Sequence, residues 1–306
     1  MSTATAERTG SHTTSDEALL ELDNIGKSYG NVHALRGVNI HVRQGEVTCV
    51  LGDNGAGKST LIKIIAGLHD YTEGTMKING IVRRFGSPRA AQAAGIATVY
   101  QDLALAPLMS VWRNFFLGNE IRRGLGLDIE KMKQICDAEL TKMGIAIPDL
   151  DRPVGGLSGG QRQCIAIARA IYFGARVIIL DEPTAALGVK QSGVVLKYIV
   201  AARDAGLGVI FITHNPHHAF LVGNHFIILK LGRVVLDAHR DELTLDQLTA
   251  EMAGGQELEE LSHELRGVDV DKVVDVKQGE RVHVVAPSLD QEELSEVRSE
   301  EAEEEK

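Results

Sequence analysis

No run of about eighteen apolar residues occurs in this 306-residue chain, and without one no helix drawn from it can cross the roughly 30 Å hydrocarbon layer of a bilayer. Cysteine is scarce. Cys49, Cys136 and Cys164 stand singly, with no C-x-x-C spacing; such a set argues against a disulfide scaffold and suits a reducing compartment, with the three thiols as small core fillers. His214, His217 and His218 cluster, but no cysteine or carboxylate pair lies at ligand spacing beside them, which argues against a zinc site. A basic excess is missing too. Residues 256–306 hold 17 acidic and 6 basic residues, a net of −11, and the preceding 255 hold 26 basic and 25 acidic. The body therefore lacks the positive footprint that nucleic-acid binding requires. Residues 1–17 are rich in Ser, Thr and Ala and have no apolar h-region, so they read as a disordered leader and not as a secretion signal. Residues 255–306 read as an acidic, mobile tail, with a short hairpin within 269–285 as the alternative.

What remains is an ordinary apolar content with few aromatics, enough for one large domain or a domain with a subdomain. Inside it stands Gly52-Asp53-Asn54-Gly55-Ala56-Gly57-Lys58-Ser59-Thr60. This fits G-x-x-x-x-G-K-[ST], in which the glycines let the backbone wrap a phosphate, Lys58 neutralises its charge and the Ser59 hydroxyl can ligate Mg²⁺. Its flanks are right: residues 46–51 read as a short buried strand and 59–68 as an apolar-periodic helix, so the loop opens a helix as phosphate binding demands. A hundred residues on, Leu157-Ser158-Gly159-Gly160-Gln161 places an N-cap serine before two glycines whose N–H groups can face an anion at the positive end of a helix. The apolar face Cys164, Ala168 and Ile171, with Ile165 beside it, continues that helix.

Further on, residues 177–180 form a continuous apolar run ending in Asp181-Glu182, as a buried parallel strand does when it delivers carboxylates to the edge of a sheet. Asp181 is placed to hold Mg²⁺ through water, and Glu182 to act as general base or orienter for an attacking water. Another strand, 208–213, presents His214 at its end. Residues 19–50 read as short antiparallel strands, Glu73-Gly74 as a turn, 76–82 as a hairpin over Asn79-Gly80, and 96–100 as a strand ending at Gln101. Between 102 and 153 the pattern is mainly helical: Ser110 could begin one helix, and 128–143 carries the stripe Ile129, Met132, Ile135, Cys136, Leu140 and Met143. Two strands around Gly232 and a helix over 243–252 close the body.

Taken together in this order, the phosphate loop, Gln101, the Leu157–Gln161 pentapeptide, Asp181-Glu182 and His214 resemble the ATP-binding cassette family over residues 19–252. The wording of Tyr100-Gln101-Asp102-Leu103-Ala104-Leu105 and of Asp181-Glu182-Pro183-Thr184-Ala185-Ala186-Leu187-Gly188 is most similar to importers of the ribose, xylose and fructose type, in their single-cassette form. The resemblance implies the P-loop NTPase fold of that family: α/β, with a mostly parallel core sheet, an N-terminal antiparallel β-subdomain and an inserted helical subdomain at about 102–166, all within 18–254. It implies that Tyr29 stacks on adenine, that Gln101 contacts Mg²⁺ and the attacking water, and that His214 contacts the γ-phosphate. The pentapeptide 157–161 would cap the nucleotide held by a partner chain, so the working unit would be a homodimer around two ATP molecules. Separate membrane permease subunits and an extracytoplasmic solute-binding protein are implied as partners, with the chain peripheral on the cytoplasmic face of the inner membrane. Two departures stand out: Arg113 and Gly188 occupy positions where the family commonly has glutamate and aspartate. The rival readings are a soluble cassette ATPase acting on ribosomes or DNA, and a P-loop kinase for a small molecule.

Overall fold

The computed structural model describes residues 18–185 and 187–253; the expected leader, and the tail from 254 onward, lie outside the described residues. Two sheets organise the chain. The first is antiparallel, with β1 (Ala18–Tyr29), β2 (Val32–Arg43), β4 (Glu73–Ile78) and β5 (Ile81–Val82) in the order β2-β1-β4-β5. In place of several short strands, β1 and β2 are each twelve residues long. Register shifts between Leu22 and Lys27 keep them paired while the ribbon bends, and Asn24 takes φ 52° there. Glu73 and Gly74 belong to β4 and not to a turn, because Glu73 pairs with Gly26. The Asn79-Gly80 turn has both residues at positive φ, 49° and 72°, the geometry that fits a two-residue hairpin to twisted strands.

The second sheet has six strands. It comprises β3 (Val47–Leu51), β6 (Ile96–Val99), β9 (Val177–Asp181), β10 (Gly208–Ile212), β11 (His225–Lys230) and β12 (Arg233–His239), ordered β12-β11-β3-β10-β9-β6 and parallel except for β12. Successive side chains of a strand point to opposite faces, and the core divides accordingly. Cys49, Leu51, Ile178, Leu180, Val209 and Phe211 pack on one face, and Val50, Ile179, Ile210 and Ile212 on the other. The second of these faces is covered by α1 (Lys58–Ile65), through Leu61, Ile62, Ile64 and Ile65, and by the apolar side of the antiparallel sheet.

Against the first face lie α5 (Gly159–Tyr172), α6 (Val189–Asp204) and α7 (Pro216–Val222), with α3 (Val111–Phe116) and α4 (Ile129–Lys142) packed on α5 and α8 (Leu245–Ala253) on α7. In α4 the predicted stripe buries Met132, Cys136 and Leu140, Asp128 is the N-cap, and Ile129 stays exposed. Among the pieces that were not expected are α2 (Pro88–Ala93), capped by Ser87, and the small hairpin of β7 (Arg122–Arg123) and β8 (Gly126–Leu127). All three cysteines are free and buried; burial pushes the thiols of Cys136 and Cys164 up to about 12, and that of Cys49 further. No helix among the described residues is long and apolar enough to cross a membrane.

Candidate nucleotide site

Parallel order puts the C-terminal ends of β3, β6, β9 and β10 on one edge, the place where open α/β sheets bind ligands. The loop after β3 is shaped by glycines. Gly57, at φ 108°, ends it at the cap of α1, and a Cβ there would stand 2.8 Å from Leu35 Cδ2 and 2.9 Å from Ala34 O. Gly52, at φ 139°, lies against the Leu229 carbonyl with no room for a side chain. Lys58 turns back over the loop, donating to the carbonyls of Gly52 and, at 2.9 Å, Asp53. Burial lowers its pKa from the ordinary lysine value, against the pull of Glu182, Asp53 and Asp181.

A cavity of about 890 Å³ opens over this loop. Residues 53–60 line it together with Gln101 from the end of β6 and Asp181 and Glu182 from the end of β9. Burial raises the pKa of Asp181 above the usual carboxylate range, Glu182 adds to this, and Lys58 opposes it. Among the described residues, no group of three His, Cys, Asp or Glu side chains could hold a metal. What the edge does offer is a hydroxyl, an amide oxygen and a carboxylate, from Ser59, Gln101 and Asp181, the hard oxygen donors that Mg²⁺ takes alongside phosphate and water.

Glu182 is held in an unusual state. Its φ is 47°, a left-handed conformation that costs a non-glycine residue about 1–3 kcal/mol. Its N–H donates to Ile212 O at 3.0 Å, and Oε1 lies 2.8 Å from His214 Nδ1. Oε2 is buried with no protein hydrogen-bond partner, which leaves its lone pairs unused by the protein. His214 is 64% exposed against 14% for Glu182, and does not line the cavity.

Two other groups stand apart from the phosphate loop. Tyr29 is 43% exposed, meets His69 edge-on at 5.8 Å, carries Lys27 over its ring, and is absent from the cavity wall. Val32, His33, Ala34 and Arg36 from β2 occupy the wall in its place, facing Lys230, Leu231, Gly232 and Arg233 of the β11–β12 turn. Sequence reading missed these because they come from distant segments and match no local pattern. Leu157, Ser158, Gly159, Gly160 and Gln161 likewise do not line this chain's own cavity. Ser158 caps α5 in a reciprocal box: its hydroxyl accepts from Gln161 N–H at 3.3 Å, and its own N–H donates to Gln161 Oε1 at 3.0 Å.

A phosphate loop on a parallel sheet, facing two strand-end carboxylates and a glutamine, with a capped glycine helix elsewhere, defines a nucleotide-hydrolysing cassette. Residues 35–185 match the ABC transporter family model. The chain is 42% identical over 234 residues to a xylose/arabinose import ATP-binding protein of Sulfolobus acidocaldarius, covering 76% of this chain and 93% of that one. It is also 42% identical to a fructose import ATP-binding protein of Rhizobium meliloti, covering 79% and 96%. A ribose import ATP-binding protein of Bacillus subtilis is 35% identical, with 84% of this chain matched to only 52% of that one. Among solved structures, a dimeric ATP-binding cassette in a post-hydrolysis state with ADP and Pi superposes with TM-score 0.61 at 29% identity, over 72% of this chain and 98% of that one. The chain therefore belongs to the ABC transporter family, as an ATPase.

Proposed function

We propose that this chain is the ATP-hydrolysing subunit of a sugar importer, working as a homodimer on separate permease subunits at the cytoplasmic face of the membrane. The observation that carries the hydrolytic part is the convergence of Lys58, Ser59, Gln101, Asp181 and Glu182 on one cavity. Lys58 and the loop N–H groups hold the β- and γ-phosphates of ATP. Ser59, Gln101 and Asp181 would hold Mg²⁺, which supplies neutralisation of the charge on the transferred phosphate. Glu182, with Oε2 buried and free of protein partners, takes or orients the proton of the attacking water, and His214 steadies its other oxygen.

The import reading is supported by the relatives, whose names are import ATP-binding proteins for xylose or arabinose, fructose and ribose. These names favour transport over an action on ribosomes or DNA. A membrane partner is supported by the same names, since import needs a passage through the membrane and no helix among the described residues is long and apolar enough to cross one. The test is reconstitution in vesicles with the permease and solute-binding protein from the same gene neighbourhood. Mg²⁺-dependent ATP hydrolysis should rise when the cognate sugar is supplied, and labelled sugar should enter the vesicles. Hydrolysis that ignores both the permease and every sugar tried would remove the import reading.

A further inference from the structure

Three hydrogen bonds join the loop after β9 to the end of β10, the loop that follows it and helix α7. Two involve Glu182 itself, through Ile212 O and His214 Nδ1. The third is set apart from the chemistry: His218 Nδ1 lies 3.0 Å from the Thr184 hydroxyl. Thr184 is buried, and His218 is anchored twice, since its backbone N–H also donates to Asn215 Oδ1 at 3.1 Å, the cap of α7. Burial, with His217 and His214 nearby, lowers the pKa of His218. Beyond Thr184 the same segment reaches the Ser158 cap of α5, where a Cβ on Gly159 would stand 2.6 Å from Leu187 Cδ2. Thr184 thus lies between the strained carboxylate and the Leu187 contact with the pentapeptide, and one side chain outside both holds it.

We propose that His218 is a positioning residue for hydrolysis: by holding Thr184 against α7 it keeps Glu182 in its left-handed conformation. The inference rests on the reading of Glu182 given above. A residue at φ 47° stays there only while its surroundings over-determine it. Releasing Thr184 lets the segment relax, and Glu182 Oε2 then departs from the attacking line while the phosphate loop is untouched. Small displacements of a reacting group are costly to rate and nearly silent in ground-state binding.

The experiment is a double-mutant cycle on steady-state hydrolysis by the full-length chain. His218→Ala and Thr184→Val should each lower kcat about tenfold with KM for ATP changed by less than about twofold. The double variant should be no slower than either single one, because both remove the same bond. His218→Asn, whose amide δ atoms overlie the imidazole Nδ1, should restore kcat to within about threefold of wild type. Losses that multiply in the double variant, or a His218→Asn no better than His218→Ala, would overturn the proposal. Should His218→Ala fail to fold, Thr184→Val and His218→Asn carry the comparison alone. Glu182→Gln is run alongside. If it is inactive while His218→Ala turns over normally, the positioning role alone is wrong; if it keeps wild-type turnover, the reading of Glu182 falls and takes this inference with it.

Discussion

Lys58 and Glu182 face one cavity but act at different stages, and their variants should separate accordingly. In the proposed mechanism Lys58 makes charge-assisted contacts to phosphate in the ground state as well as in the transition state. Lys58→Ala is therefore expected to weaken ATP affinity itself, by tenfold or more if about 1.5–3 kcal/mol of hydrogen bonding to a charged group is lost; equilibrium titration with a fluorescent ATP analogue measures it, and unchanged affinity would mean that Lys58 does not cradle phosphate. Glu182, in the same mechanism, acts on the attacking water. Replacing it with Gln keeps the shape, including a contact to His214, and removes the basic oxygen. Turnover should fall about 10²–10⁴-fold with ATP binding intact, and the chain should accumulate as an ATP-bound dimer on gel filtration. Near-wild-type hydrolysis by the purified variant would end the assignment.

The α5 N-terminus turns a local sequence signal into a capped helix end. Ser158 and Gln161 satisfy N–H groups at their mutual ends, and the Gly159 and Gly160 N–H groups belong to the first turn, which has no intrahelical partner for them. Ser158→Ala should cost about 0.5–2 kcal/mol of folding stability through the lost cap, read as a lower midpoint in urea, and Ser158→Thr should recover most of it. Elements of this kind were legible in the chain because their signals are local: an N-cap serine before two glycines, an apolar run before Asp181, an Asn-Gly at a hairpin. The same holds for the phosphate loop, where Gly52 and Gly57 sit where no Cβ fits. What was not legible depends on distant partners. β1 and β2 run twelve residues each because bulges let a bent ribbon stay paired, and no alternation in the sequence marks a bulge. The cavity wall of His33, Arg36 and Arg233 needs β2 brought against the β11–β12 turn, which the Arg36 N–H to Gly232 O bond of 2.8 Å does. Tyr29, expected from its position upstream of the loop to stack on adenine, has its ring half-exposed beside His69 and Lys27.

Across the whole molecule the decisive fact is a separation: the phosphate loop and the Ser158 cap do not line a common cavity within one chain. If both act on ATP, two chains must face each other head to tail, each lending its cap to the nucleotide of the other, as a closed two-fold dimer allows. Chains carrying Ser158→Arg place a bulky cation at the cap and should disable the partner's phosphate loop and not their own. Chains carrying Lys58→Ala lose their own loop and keep a sound cap. Both homodimers should then be inactive. A mixed dimer unites the intact loop of the first chain with the intact cap of the second, and should hydrolyse ATP at about half the wild-type rate if its two sites act independently. Purification on two different affinity tags isolates the mixed species, and a phosphate-release assay reads it. A Ser158→Arg homodimer with full activity would show that the cap never touches the nucleotide. Activity in the mixed dimer alone has no explanation within a single chain, because neither parent then holds a complete site.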